Sequence, residues 1–292
     1  MTATEPKETN TPKRAIIWPI LQRLPSVAFF VLFYLYLTFE IDLRFLYNGG
    51  GLIDNFPTFY RGWDFLLGHL TYPGGLVEYA SAFLAQLFYY SWAGAAVVTC
   101  QAWLIGLATD VYLKVLGVPR LRVLRFVGPL VLVAIYSQYT FHFPMTLAFT
   151  VVLMAVCLFL SFAPKGMVWR GVTFLILSII LYACAGGAYL LFALLCGGAQ
   201  IVSRRRYSEG VLYGLSAAVI PYLLGVVIWG QRVLDAYSEL LPLSLEALEN
   251  EPSKLMLKAG WIIYLFLPLT IGGVGLWRLF FGRGEMPSPE AE

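Results

Sequence analysis

The stretch "TFEIDLRF", residues 38–45, carries two carboxylates at E-x-D spacing, Glu40 and Asp42, with the guanidinium of Arg44 two residues on. They stand where a long apolar run ends. Ionised carboxylates at a membrane boundary are costly unless hydrated or paired, and they often mark function. On a continuous helix, positions i and i+2 point about 200° apart, so the pair could share a ligand only if the helix stops there. Arg44 offers the plainer account, an interfacial ion pair. Further polar groups follow in Arg61, Asp64 and Glu78, and in "YSQYTFHFP" (136–144), where Tyr136, Gln138, Tyr139 and His142 put hydrogen-bonding groups on one short turn. The expected catalytic residues are Glu40 and Asp42. The expected substrate contacts are Arg44, Arg61, Asp64, Glu78, Tyr139 and His142.

Other chemistries find no residues. His69 and His142 are too few for a zinc centre without carboxylate help. Cys100, Cys157, Cys184 and Cys196 all fall in apolar runs with no CxxC pair, which reads as buried free thiols. No P-loop, GxSxG, HExxH or dinucleotide fingerprint occurs in a suitable context. No metal site and no cofactor is identified, although a divalent metal is compatible with the acidic residues.

These groups must be held by a membrane-embedded scaffold. Of 292 residues, 59% are hydrophobic and 13% charged, with a mean hydropathy of +0.74. A soluble domain carries about 25% charged residues, so a bilayer is the expected partner. The net charge of +3 gives no reason to expect nucleic acid. Residues 1–24 are polar and Pro-broken with no cleavage-site pattern, and read as a disordered cytosolic tail.

A span needs about 20 mostly apolar residues. Candidates lie at 25–45, 93–115, 124–140, 145–163, 210–230 and 259–281. The run 170–203 is too long for one span, and "ACAGGAY" (183–189) permits a tight turn, which splits it into 170–185 and 188–203. The expected fold is all-α: a polytopic bundle of about eight spans over 25–281, with a second tail at 282–292. Placing both termini in the cytosol puts fifteen of the twenty basic residues inside, at every cytosolic loop. That orientation leaves two long outer segments, an insert at 46–92 and a loop at 231–258, so function is expected to face outward.

The insert reads as two amphipathic helices. Phe59, Trp63, Leu66, Leu67 and Leu70 form one helical stripe starting near Pro57, and "TYPGG" (71–75) breaks it. A second helix from Gly75 sets Leu76, Tyr79, Ala80, Phe83, Leu84 and Leu87 on one side, with Glu78, Ser81 and Gln86 away from it. Such helices lie along the outer leaflet, with Trp63, Tyr72, Tyr79, Tyr89, Tyr90 and Trp92 as an aromatic belt. In the loop at 231–258, Leu234, Tyr237, Leu240 and Leu241 repeat the stripe, and Glu239, Glu246, Glu249 and Glu251 are expected on a solvated face. The two inserts together could roof a groove between spans. Within the spans, Gln101 is expected to hydrogen-bond a neighbouring helix, and Asp110 to pair with Lys114 at i,i+4.

An E-x-D pair ending the first span, an outer loop of two amphipathic helices and many short-looped spans together resemble the GT-C glycosyltransferases. Members use polyprenyl-phosphate-linked sugars, and acidic residues of their first outer loop serve as base or bind metal. The resemblance implies Glu40 or Asp42 as the base. "PGGLVEYASAFLAQLFYY" (73–90) and "YACAGGAYLLFALL" (182–195) also resemble recurring stretches of an uncharacterised group of bacterial multi-pass proteins, a domain of unknown function. That likeness covers most of the chain and implies the bacterial inner membrane.

Three functions compete. The first is glycosyl transfer at the outer face, with Glu40 or Asp42 activating an acceptor hydroxyl and the donor phosphate near Arg44 or Arg61. The second is transport or flipping of an amphipathic lipid, which would call for charges inside the membrane or inverted repeats. The third is a non-enzymatic role in envelope assembly. No protein partner can be named from the residues.

Overall fold

The computed structural model describes residues 14–44, 59–137, 143–242 and 253–280, and these are helical with short connections. Helix α1 runs Arg14–Phe39, α2 Trp63–His69, α3 Gly75–Ala85 and α4 Ser91–Val115. Then come α5 Val127–Tyr136, α6 Phe143–Phe162, α7 Met167–Ala185 and α8 Tyr189–Val202. The last described helices are α9 Tyr207–Ile220, α10 Val233–Ser238 and α11 Ser253–Phe280. Among the described residues, five stretches are long and apolar enough to cross a membrane: Ser91–Val115, Phe143–Phe162, Met167–Val202, Tyr207–Ile228 and Gly260–Phe280. A shorter apolar helix is Pro25–Phe39.

Several boundaries differ from expectation. The first helix begins at Arg14, so the stretch read as a disordered tail through residue 24 is helical from that residue on. The expected span at 124–140 is divided: Pro119–Phe126 is a 3-10 segment, and α5 has only ten residues. The helix expected from Pro57 starts instead at Trp63, with Phe59–Arg61 non-helical before it.

The long apolar run does break at its glycines. Met167–Val202 is helical on both sides of a 3-10 turn at Gly186–Ala188, and Gly186 has φ 54°. The chain reverses there. Arg170 near the start of α7 pairs with Glu209 in the first turn of α9, so the start of α7 lies beside the chain that follows α8. The returning helix of the next hairpin, α9, lies flush on α8. A Cβ on Gly197 would stand 2.8 Å from the Gly210 carbonyl, and Gly210 and Gly214 recur at i,i+4. Bare backbone is what lets apolar helices approach this closely where no hydrophobic effect drives them together.

Helix α6 is the axis of the bundle. Of its apolar window 67% is buried inside the protein, against 22% for Tyr207–Ile228. Phe149, Val152, Val156 and Phe159 lie in its core-facing rows. Its two buried polar residues are internally satisfied: the Thr146 and Thr150 hydroxyls donate to the Phe143 and Thr146 carbonyls. As expected, Gln101 bonds a neighbouring helix, its Nε2 donating to Thr150 Oγ1 at 3.2 Å. Bonds of this kind between helices in an apolar medium contribute about 0.6 kcal/mol each.

The bundle has two chemically distinct ends. One gathers Lys114, Arg122, Arg170, Arg204, Arg206 and Arg278, linked to one another's loops through bonds such as Ser203 Oγ–Val115 O and Arg278–Leu116 O. The other gathers Glu40, Asp42, Glu78, Asp235 and Glu239. It is tied together by Gly74 N–Ala183 O, Ser91 Oγ–Thr38 O and Tyr264 Oη–Leu240 O. Asp110 sits at the basic end and bonds Lys114 at 2.7 Å, as expected, and Arg122 at 2.8 Å as well.

Candidate functional site

At the acidic end three stretches of bare or bent backbone meet. The Pro-Gly-Gly break after α2 places Gly74 at φ 87°, in the left-handed region open to glycine, and its N–H donates to Ala183 O at 3.0 Å. Gly186 and Gly187, at the reversal between α7 and α8, receive the end of α10 and the residues that follow it. A Cβ on Gly187 would fall 2.4 Å from the Tyr237 carbonyl, and one on Gly186 would fall 3.1 Å from the Glu239 side chain. Leu240 closes the junction at φ 58°, a costly conformation for a branched residue, with its Cδ1 against Gly74. The Tyr182 hydroxyl, donating to Ala236 O at 3.0 Å, anchors α10 from below.

This junction holds two carboxylates. Glu78, in the first turn of α3, accepts a 2.5 Å hydrogen bond from the Tyr72 hydroxyl. Glu239 is half-buried against Gly74 and Gly186. Burial, then the charge of Glu78, then that of Asp235 push its carboxyl up to about 7. Tyr72 is pushed up too, first by burial and then by its bond to Glu78, so it remains a donor. A carboxyl balanced near neutral pH beside a second carboxylate can give or take a proton under working conditions. Tyr72 also joins Glu78 to an aromatic group: His69 packs on Phe65 at 4.5 Å and on Tyr79 at 5.9 Å, while its Nδ1 faces Phe65 O at 2.8 Å.

Helix α3 explains how Glu78 comes to face inward. Its buried residues are Gly75, Val77, Ser81, Ala82 and Ala85, whereas Leu76, Phe83 and Leu87 point away from the protein. The small, less apolar side packs on the bundle and the large apolar side faces out. Likewise Trp63, Leu67 and Leu70 of the first expected stripe are exposed, and Phe65 packs inward on Phe59 and Tyr79. Large apolar residues turned outward fit helices whose surroundings are hydrocarbon.

The E-x-D pair lies elsewhere on the same end. Helix α1 stops at Phe39, so the condition for Glu40 and Asp42 to act on one ligand is met by the backbone. Asp42, however, is clasped by Arg44, whose Nε and Nη2 donate at 2.8 and 2.7 Å. That bond holds the Asp42 carboxyl below its ordinary range. Glu40 is exposed beside it. Arg61 and Asp64 are exposed, the latter in the first turn of α2. Tyr139 and His142 lie outside the described residues. Tyr136 is not a surface group: it is fully buried, its hydroxyl 3.0 Å from Thr146 Oγ1. Of the expected substrate contacts among the described residues, the structure thus brings only Glu78 into the glycine-lined junction.

Two members of that junction, Tyr72 and Glu239, carried no such expectation. Glu239 was expected on a solvated face because its neighbours Glu246, Glu249 and Glu251 are also acidic; those three lie outside the described residues. The available signal was the pair of glycine doublets, each of which needs another segment to cover it. All four cysteines are free. Cys196 is buried, but Cys100 is exposed on α4, so the expectation of burial fails there. Among the described residues no three His, Cys, Asp or Glu side chains come together as a metal set.

Residues 16–280 match a family of unknown function, DUF6057. No curated protein and no solved structure matches the chain.

Proposed function

We propose that this protein, which belongs to the DUF6057 family, is a membrane enzyme acting on a lipid-linked substrate at its acidic end. The reaction class is the one implied by the GT-C resemblance: glycosyl transfer from a polyprenyl-phosphate-linked sugar. The orientation follows from charge, with the basic end and both termini in the cytosol of a bacterial inner membrane and the acidic end outside. The observation that carries the reading is the junction of Glu78, Tyr72 and Glu239, built on three glycines at the end where a headgroup would lie.

In the proposed step the acceptor hydroxyl gives its proton to the Glu239 carboxylate as its oxygen attacks the anomeric carbon. The bond from that carbon to the phosphate oxygen breaks, and the polyprenyl phosphate leaves with the electron pair. A base near neutral pH is matched to that task. Glu78, held by Tyr72, keeps Glu239 from ionising early. Glu40 and Asp42 are the alternative base, and Arg44 and Arg61 the groups for the donor phosphate.

The test is native mass spectrometry and turnover with a panel of polyprenyl-phosphate sugars. Wild type is compared with Glu239→Gln and with Glu40→Gln/Asp42→Asn. Retention of one lipid-sugar, with transfer lost in Glu239→Gln and binding kept, supports the reading. Loss of transfer only in the double variant moves the base to the E-x-D pair. Retention of no lipid-sugar refutes the enzyme and leaves the envelope-assembly role; retention without transfer by wild type favours a lipid transporter.

A further inference from the structure

The chain that carries Glu239 into the junction is lightly anchored. Of Gln231–Leu240, which is α10 with its flanks, only Ala236 is fully buried, and Arg232, Val233, Leu234 and Asp235 are exposed. Segments that bury so little open locally at a small fraction of the cost of global unfolding. Both ends are built to bend. Gly230 has φ 66°, and a Cβ there would meet nothing within 4 Å. Leu240, at φ 58°, holds a conformation that persists only while its surroundings impose it. Before Gly230, Pro221 removes a backbone donor, and α9 continues as a π-helix over Pro221–Ile228. Turns of that winding recur at functional sites. This one brings Gly225 to the strap's main anchor: a Cβ on it would stand 2.1 Å from the Tyr182 hydroxyl and 2.6 Å from Ala236 Cβ.

Three phenols hold the segment down. Tyr182 donates to Ala236 O at 3.0 Å, and Tyr237 donates to Ala218 O. The Tyr264 hydroxyl is shared between Leu240 O at 3.2 Å and Met145 O at 3.0 Å, so it keeps an acceptor when Leu240 leaves. Phenols ordinarily carry no charge below about pH 10. The carboxylates do change charge. Glu239 and Glu78 meet on one glycine: Glu239 Cγ lies 3.5 Å from the Cβ position of Gly74, and Glu78 N donates to Gly74 O at 3.2 Å. Asp235 adds a third acidic group from the segment itself. The available partners are spent elsewhere, Tyr72 on Glu78 and Arg232 on Asp235 at 3.5 Å.

We propose that Gln231–Leu240 is a hinged strap over the junction, latched while Glu239 carries a proton and released when it ionises beside Glu78. The sign follows from linkage. Latched, Glu239 is raised to about 7, by burial first and then by the charges of Glu78 and Asp235; released into water it returns toward 4.5. The open form therefore gives up its proton first, so rising pH favours opening across that interval, with the full effect above about 7. The latch stands on the geometry of the junction alone; that it governs access of an acceptor to the base rests on the function proposed above.

The test is hydrogen–deuterium exchange of the full chain in detergent micelles at pH 5 and pH 8.5, with rates corrected for the intrinsic effect of pH. Protection of the amides of 231–241 in wild type is expected to fall about tenfold at the higher pH, less than a fully buried carboxyl would give. Protection of α6 should not change. Glu239→Gln should keep the strap protected at both pH values, and Glu78→Gln should reduce the fall. Tyr182→Phe, which removes a hold that does not titrate, should lower protection by the same factor at both. Strap protection in wild type that does not depend on pH would overturn the latch. So would an equal fall in Glu239→Gln, or a fall shared by α6. No lipid-sugar is present in this experiment, so loss of the latch and loss of the transfer reading are separate results.

Discussion

Replacing Glu239 by Gln removes a charge that the fold disfavours, and its effect must depend on pH. The Glu239 carboxyl is raised from 4.5 to about 7. Below the lower value folded and unfolded chains both hold the proton, and the group costs nothing. As pH rises between the two values, the unfolded chain releases its proton first and stability falls. Above about 7 both states are ionised and the full cost is present. A gap of about 2.5 pH units at about 1.4 kcal/mol each sets a ceiling of about 3.4 kcal/mol. Glu239 is only half-buried, and solvent screening reduces this to about 1–2 kcal/mol. Glutamine cannot ionise, so Glu239→Gln should match wild type near pH 4.5 and exceed it by that amount at about pH 9. At about 2–4 °C per kcal/mol, the gain in melting temperature is about 2–8 °C. The assay is thermal unfolding in detergent micelles across that range. A gap independent of pH, or a variant less stable than wild type at the alkaline end, would refute the argument. Adding Glu78→Gln should shrink the gap, since Glu78 is the second cause of the shift after burial.

Gly187→Ala should destabilise the protein by about 1–3 kcal/mol, since its Cβ would meet the Tyr237 carbonyl at 2.4 Å; the melting temperature reads it. Breaking the Arg170–Glu209 pair from one side, as Arg170→Met or Glu209→Leu, should cost about 3–5 kcal/mol, because the partners are only 4% and 8% exposed and the survivor is left charged. The double replacement should recover most of that loss, which a double-mutant cycle on denaturation midpoints would show. Asp110→Asn should cost only about 0.5–1 kcal/mol, because Lys114 and Arg122 are 54% and 50% exposed. Its deficit should narrow as salt is raised.

What could be read from the residues alone was whatever a single helix decides. The apolar runs, the reversal at Gly186–Gly187, the Asp110–Lys114 pair and the Gln101 interhelical bond all follow from period, composition or the cost of a lone polar group. The candidate site did not, because it is made by contacts between distant segments. Glu78 was legible as an acidic residue in an amphipathic helix. That it would face Glu239 depends on α3 turning its small side inward, which periodicity cannot decide when the surroundings are themselves apolar. Arg170 looked like one more basic residue marking a cytosolic loop; only the fold shows it buried against Glu209. The Asp42–Arg44 bond, by contrast, is local, and its plainer reading could be seen at once.

The contact of Gly74 with Leu240 also sets an order of events during synthesis. At about 5–20 residues per second the ribosome takes on the order of 10–30 s to travel from one to the other. Throughout that interval the Pro-Gly-Gly corner has neither Leu240 nor Glu239 to rest on, and for most of it not even Ala183. In the proposed orientation the insert before α4 is delivered across the membrane and waits there unfinished. Its outward Leu76, Phe83 and Leu87 give it a place to wait, lodged in the lipid surface until the later helices arrive beneath it. A chain halted after α8 would carry the first half of the junction without Glu239 or Leu240 to close it. A nascent-chain series should show protection of α3 from protease appearing only once α10 has emerged.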